Sequence, residues 1–517
     1  MKKNLAFFVL FFFQLGVSAQ QLIPLSHKIN QENSFGENGN FNSVKPAVID
    51  FEEDTTSLSE KSLLYRKVFE ESLFEIQEKN HKIQIDPIFD LRYGKEDATT
   101  IFQNTRGYYI RGYISEKLWF QTSFLENQAR FPSYLSNYVD SFAVVPGMIR
   151  AKEFKTDGYD YAIAMGQISF KPSKYYNVQF GQGKHFIGNG YRSLFLSDNS
   201  APYLFLRNNF TWKNWKYSFI TSSLLNTNLN GIMYAPHEWY EGYQKKTAHF
   251  KFLSYTLNNS IEFALFESCI FQIKDSTAFN INTLNPLPIM QSIQYGLNDE
   301  NNTTLGLQIT AKIPFHSIVY GQFLLDDMER NHLFDSRLRN KTAFQLGIKT
   351  QQEISSHRFF GLLEYNHARP YTYAHSSSNQ SFTHYNQALA HPLGANFTEF
   401  VIIANYRFKK ISLELQYNRI KTGKDEEGIN YGHNPFQSDD MIYNGSLDIN
   451  QLSQNQGMLT EISHLQLCFS YLINPQSKLE AFCLLHLRNY TQESNIEKTS
   501  FFNIGIRNNL WNYYTDF

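Results

Sequence analysis

The sequence predicts an all-β protein, an up-and-down transmembrane β-barrel of about 18 antiparallel strands with a short N-terminal periplasmic helix. Three observations carry that prediction. The first is composition: 16% of the 517 residues are aromatic, yet only 18% are charged and the mean hydropathy is −0.41. A helical membrane protein would read strongly apolar, and a water-soluble one would have to hide all those rings. The second is a period of two in apolar residues along most of the chain, as expected where alternate residues face lipid and lumen. The third is an alternation of short and long connections, as in a barrel with short periplasmic turns and longer outer loops.

The chain opens on a secretory pattern. Lys2 and Lys3 precede a Phe-rich apolar run from Leu5 to Leu15, and Val17-Ser18-Ala19 is a small-residue cleavage site, so residues 1–19 read as a signal peptide. No Cys follows that site, which argues against a lipoprotein, and no later window approaches 18 consecutive apolar residues, which excludes helical spans. Residues 20–82 form a polar periplasmic segment. Within it, Ser57 and Glu60 make a capping-box pattern, and Leu64, Val68, Phe69, Leu73 and Ile76 recur at helical spacing, predicting a helix near 58–79.

The barrel occupies 83–517. In its first segment Ile83, Ile85, Pro87, Phe89, Leu91 and Tyr93 alternate with Gln84, Asp86, Ile88, Asp90 and Arg92. The same alternation is clear at 411–417 and 465–471. At 261–273 Glu267 interrupts an otherwise apolar face. Segments begin near 83, 106, 118, 159, 175, 202, 215, 247, 261, 303, 317, 342, 357, 399, 411, 461, 478 and 501. Tight connections fall at 115–117, 171–174, 213–214, 258–260, 314–316, 354–356, 409–410 and 474–477. The long ones are roughly 94–105, 126–158, 182–201, 225–246, 274–302, 326–341, 367–398, 421–460 and 491–500. An even strand number returns both termini to the periplasm. Trp212, Trp215, Tyr217, Tyr175 and Tyr176 flank tight turns and read as a periplasmic aromatic girdle. Trp511, Tyr513, Thr515 and Phe517 alternate at the end, resembling the terminal-aromatic signal read by the barrel insertion machinery. Phe502, Ile504 and Ile506 have the opposite parity, so a bulge is expected near Asn508-Asn509.

Function is expected in the long loops or the lumen. The stretch 181–199 carries Gly181, Gly183, Gly188 and Gly190, which permit tight bends, but its spacing is not a phosphate-binding loop. Its candidate ligand groups are Tyr191, Arg192, Asp198 and Asn199. The loop 367–398 offers Arg369, Tyr371, Tyr373, His384, Tyr385, Asn386 and His391. Flat rings with hydrogen-bonding edges suit sugars; the alternative is a self-packed plug. The histidine gaps match no helical metal pair, no catalytic motif stands out, and the three cysteines lack CxxC spacing, so no metal, cofactor, catalytic residue or disulfide scaffold is expected. A net charge of −1 gives no case for nucleic acid.

The segments GQGKHFIGNGYRSLFLSDNS (181–200), NPLPIMQSIQYGLNDENNTTLGLQI (285–309), YGQFLLDD (320–327) and EYNHARPYTYAHSSSNQSFTHYNQALAHPLGAN (364–396) resemble the Wzi-like capsule-assembly family, and most closely its gliding-motility outer-membrane branch. The resemblance implies an 18-stranded outer-membrane barrel that holds or organises surface polysaccharide rather than catalysing a reaction. The helical part here is shorter than in the capsule proteins. Surface polysaccharide, outer-membrane lipid, the insertion machinery through Phe517, and motility or secretion proteins are the expected partners. A channel and a subunit of a motility or secretion machine are the alternative functions. A TonB-type importer is disfavoured, because no plug domain of suitable length precedes residue 83.

Overall fold

The computed structural model describes residues 19–35, 41–51, 60–78, 80–115, 117–227, 243–272, 284–294, 301–327, 340–427, 429–439 and 453–517. Residues 1–18 of the expected leader lie outside that set, as does Ser57 of the expected capping box. Eighteen antiparallel strands close into one barrel. They are β1 (His81–Glu96), β2 (Thr99–Ile114), β3 (Leu118–Arg130), β4 (Gly158–Ser173), β5 (Tyr176–Gly183) and β6 (Tyr203–Trp212). Next come β7 (Trp215–Asn226), β8 (Gln244–Leu257), β9 (Ile261–Gln272), β10 (Asn302–Ile313), β11 (Ser317–Asp327) and β12 (Lys341–Ile354). The last six are β13 (His357–Ala368), β14 (Phe397–Phe408), β15 (Ile411–Lys424), β16 (Met458–Asn474), β17 (Leu479–Gln492) and β18 (Asn495–Asn508). Each pairs with its neighbours, and β18 closes the ring on β1 from Phe501↔Glu96 to Arg507↔Asp90. Every segment expected from alternation is a barrel strand.

The outward residues form the apolar belt. Leu204, Leu206, Phe263, Leu307, Ile309, Leu346, Leu363, Leu413 and Phe469 are exposed, while their strand neighbours are buried inside. The barrel supplies ladder partners to every spanning strand, which a lipid environment demands. Trp212, Trp215 and Tyr175 are exposed at the periplasmic turns, where the girdle was expected.

Four expectations need correction. Two outer connections are tight turns, Asp97-Ala98 and Glu493-Ser494, not the expected 94–105 and 491–500. The paired strands continue past the lipid slab, where both faces meet water, so the ladder persists after the period of two has faded. Second, the helix expected over 58–79 is only α2 (Leu63–Phe69), capped by Ser62. After it, Asp86 accepts bonds from the Ser72 hydroxyl and the Leu73 N–H, both at 3.0 Å. That turns the chain into a short strand, Phe74–Glu78, on the lower edge of β1. Phe74 opposes Ile85 and Ile76 opposes Ile83, so these apolar residues continue the barrel's outer face rather than a helical stripe.

Third, the polar N-terminal segment does not all stay below the barrel, because its first described stretches, residues 23–30 and 41–47, enter the lumen. Val44-Lys45 pairs with Phe186-Ile187 of an inward-folded loop. Ser43, Lys28 and the carbonyl of Phe41 bond to the lumen-facing Glu262, Glu480 and Lys216. Before this, α1 (His27–Ser34) reaches the C-terminal tail through His27 and Tyr514 at 2.9 Å. Fourth, the last strand stops at Asn508. Residues 509–517 turn into the lumen instead of continuing through a bulge. Phe517 therefore packs against Tyr138 at 5.0 Å, on α3 (Ser133–Phe142), rather than ending a strand. The lower edge of β1, from His81 to Ile85, is already taken by Phe74–Glu78, and in the lumen the tail's Asp516 finds the interior amides Gln416 and Asn418 of β15.

Candidate functional site

The Gly-rich loop 184–202 and the loop 369–396 both fold inward and meet in the lumen. The glutamates of the wall hold them. Glu364 on β13 accepts the backbone N–H groups of Tyr191 (2.8 Å) and Arg192 (3.0 Å) and the hydroxyl of Tyr320 (2.8 Å). Glu399 on β14 pairs with Arg192, whose Nη2 lies 3.0 Å from Oε1, and accepts from or pairs with His391 Nε2 at 2.8 Å. The same guanidinium lies 3.0 Å from the Asp516 carboxylate of the C-terminal tail. Asp516 Oδ2 also accepts from Gln416 (2.6 Å), Asn418 (2.9 Å) and Tyr191 (3.0 Å). One buried network thus ties four strands (β11, β13, β14 and β15), two loops and the tail together. Such a network is stable only when its members are satisfied.

Of the eleven candidate residues, Tyr191, Arg192 and His391 belong to this network. Asp198 accepts from Tyr514 (2.7 Å) and Asn512 (2.9 Å) of the tail. Burial pushes its carboxyl above the ordinary range, against those two bonds and the nearby Lys184. Burial also pushes Lys184 down, to about 8. Asn199 bonds to the Ala388 carbonyl (2.8 Å), joining the two loops. Tyr371 donates to Asn430 O (2.6 Å) and Tyr373 to Leu194 O (2.9 Å). Arg369 reaches Asn340 O at 3.4 Å, and its own N–H bonds to Thr342 O. His384 accepts from the Leu225 N–H (3.0 Å), and the Tyr385 N–H donates to Leu225 O. Asn386 bridges Thr227 (2.6 Å) and Phe142 O (3.1 Å). Tyr371, Tyr373, Tyr385 and Asn386 take positive φ, as does Gly394, so most of the loop's left-handed bends fall on residues other than glycine. These bonds make the two loops a self-packed plug. Among the described residues no cluster of three or more His, Cys, Asp or Glu side chains could hold a metal ion.

One wall contact is especially close. Tyr320 lies over Gly347 of the adjacent strand, where a Cβ would stand 2.3 Å from the ring. Gly347→Ala is expected to push Tyr320 off Glu364 and to cost about 1–3 kcal/mol, read as a lower unfolding temperature in detergent. An unchanged temperature would mean that the ring is not wedged there.

A cavity of about 210 Å³ remains beside the tail, against the inner wall near the β18–β1 closure. It runs from Ser26 and His27 below to Arg130 and Phe131 at the outer end of β3. Trp511, Tyr513 and Tyr161 give it aromatic faces, and Gln103, Asn503 and Arg92 give it hydrogen-bonding edges. Tyr513 keeps 37% of its surface exposed although it lies inside the barrel. Arg92 pairs with Asp90, and Arg507 with Glu480 at 2.9 Å, so the wall's cations are largely neutralised. Tyr191 alone of the candidate residues borders this cavity. The residues of the tail went unrecognised as lining because they were read as strand. The signal was present as the parity break between Ile506 and Trp511, which marks the end of the strand.

No protein-family model and no curated protein matches the chain. Solved structures of similar fold include Wzi of Escherichia coli, described as an outer membrane protein involved in group 1 capsule assembly and a carbohydrate-binding β-barrel. It is 14% identical, over 81% of this chain and 84% of that one, with a TM-score of 0.49. Pseudomonas aeruginosa OprD is 11% identical over 82% and 94%, with a TM-score of 0.40. Acinetobacter baumannii OccAB2 is 11% identical over 82% and 97%, with a TM-score of 0.41. The closed sheet, its lipid-facing apolar belt and its filled interior make this chain an outer-membrane β-barrel.

Proposed function

We propose that the protein binds cell-surface polysaccharide without catalysing a reaction, and that the cavity beside the C-terminal tail receives a glycan end. The observation that carries this reading is the cavity itself. In a lumen largely occupied by the inward loops, the described N-terminal segment and the C-terminal tail, it keeps aromatic faces, amide edges and a guanidinium free of bulk packing and reaches the outer rim at Arg130. Sugar rings present CH faces to aromatic side chains and hydroxyls to amides, and a concave site with a few convergent polar groups is the usual form of such a pocket. Because the wall's cations are paired, a neutral or weakly acidic glycan fits better than a highly charged one.

The test is binding of polysaccharide extracted from the host cell surface to purified protein. Tyr513→Ala and Trp511→Ala are expected to weaken binding by about tenfold, or ~1.4 kcal/mol, with the unfolding temperature little changed. A strain lacking the protein should shed surface polysaccharide. Binding that is absent, or indifferent to both substitutions, would sink the reading. A large steady current through the intact protein in planar bilayers would favour a channel instead. Normal polysaccharide retention with lost surface spreading would favour a motility role.

A further inference from the structure

Lys251 on β8 and Glu267 on β9 are direct cross-strand partners. They share the outward face with Leu253, Leu265 and Leu307, not the lumen face of Phe250 and Phe266. An ion pair thus sits on the side of the barrel that faces lipid. Its row lies four residues above Tyr255, which neighbours the girdle residue Trp215. That is roughly 13 Å along the strand, well inside the hydrocarbon. Charged groups on a lipid face are costly at that depth. Yet the side chains of Lys251 and Glu267 are 1% and 0% exposed.

The cover is residues 284–294, which end in α4 (Met290–Gln294). They belong to the long outer connection between β9 and β10 and lie on the outside of the wall. Lys251 Nζ is 2.8 Å from Glu267 Oε2, 3.1 Å from Leu287 O and 3.0 Å from Gln291 Oε1. All three ammonium hydrogens therefore have acceptors. The other Glu267 oxygen accepts the N–H and the hydroxyl of Ser292, both at 3.1 Å. Tyr217, on the neighbouring strand, bonds to the Pro286 carbonyl. While the polar side of the segment saturates the pair, Leu287, Ile289, Met290 and Ile293 point away from the wall, Ile293 with 67% of its surface exposed.

We propose that residues 284–294 are a membrane-embedded strap, seated between the barrel wall and the acyl chains of outer-membrane lipid. The occupant of its apolar face follows from continuity with the belt. Phe263, Leu307 and Ile309, on the adjoining strands, are exposed on the same outer surface. The strap replaces the strand side chains as the lipid-contacting layer over one sector, and the Lys251–Glu267 pair is the catch that holds it. The sector reads from outside as apolar although the strands beneath it carry an ion pair.

The test uses the full-length chain carrying Cys483→Ala, which removes the partly accessible native thiol. A fluorophore is attached at Ile293→Cys or Leu287→Cys, and the protein is reconstituted into phosphatidylcholine vesicles with or without brominated acyl chains. Quenching is expected within about twofold of that at the belt position Leu307→Cys and well above that at Asp157→Cys on an outer loop. Combining Lys251→Met with Glu267→Met should release the strap. The barrel then keeps its heat-modifiable mobility on gels, while quenching at Ile293→Cys falls toward the loop level. Quenching at both strap positions no greater than at Asp157→Cys would overturn the proposal. So would disulfide-linked dimers through Ile293→Cys in place of quenching, which would assign the face to a second copy. Retained quenching in the double Met variant would overturn the role of the ion pair as the catch.

Discussion

Replacing Arg192 with alanine is expected to destabilise the protein by about 3–5 kcal/mol, because it strands buried carboxylates that the guanidinium now partners. Arg192 is completely buried, and Glu399 and Asp516 both lie 3.0 Å from its Nη2. Asn418 and Gln416 would still donate to those acids, but two amides do not balance two negative charges out of water. The damage should be local at first: the loops leave their seats before the strand ladder opens, since the ladder does not pass through Arg192. Protease cleavage within 184–202 should therefore rise at temperatures where the barrel still migrates as folded on gels. Arg192→Met combined with Glu399→Gln should recover part of the loss, because it removes the unpaired charge along with its partner. If Arg192→Ala left both cleavage and unfolding temperature unchanged, the network would not be holding the plug.

The second large effect concerns the tail. A chain ending at Asn508 keeps the full β18–β1 closure, which uses only residues up to Arg507. It loses Trp511 and Tyr513 from the cavity, the bonds of Tyr514 and Asn512 to Asp198, and the Asp516 partner of Arg192. Removal is expected to raise ionic current in planar bilayers by at least about tenfold, because a filled lumen becomes a partly aqueous one. It should also abolish polysaccharide binding. Should the truncated chain fail to reach the membrane, the full-length Tyr514→Ala/Asp516→Ala variant should show a smaller rise in current. Unchanged current in the inserted truncated protein would mean that the loops and the N-terminal segment close the lumen by themselves.

These expectations divide along what sequence can carry. The eighteen strands were legible because lipid outside and packed polar matter inside impose opposite demands on alternate residues. The rhythm of connections was legible except at Asp97-Ala98 and Glu493-Ser494, where strands run on through water and lose their two-sided chemistry. The eleven candidate residues were found through loop length and side-chain type. Those criteria do not separate a group offered to a ligand from one bonded to Leu225 or Asn430 across the lumen.

Glu267 shows the boundary most clearly. Its break in an apolar face was visible in sequence, but its explanation needed Lys251 across the ladder and Gln291 and Ser292 folded back from the connection after its own strand. Phe502, Ile504 and Ile506 against Trp511 and Tyr513 were likewise a visible change of parity, and only the closed ring showed that it marks a strand's end. Period-two patterning was enough to specify the barrel, because it records the solvent on each side of every strand. What fills the barrel rests on contacts that the folded chain alone brings together. The N-terminal segment, the two loops and the tail are held by hydrogen bonds between residues hundreds of positions apart, and such pairings leave no periodic trace along the chain.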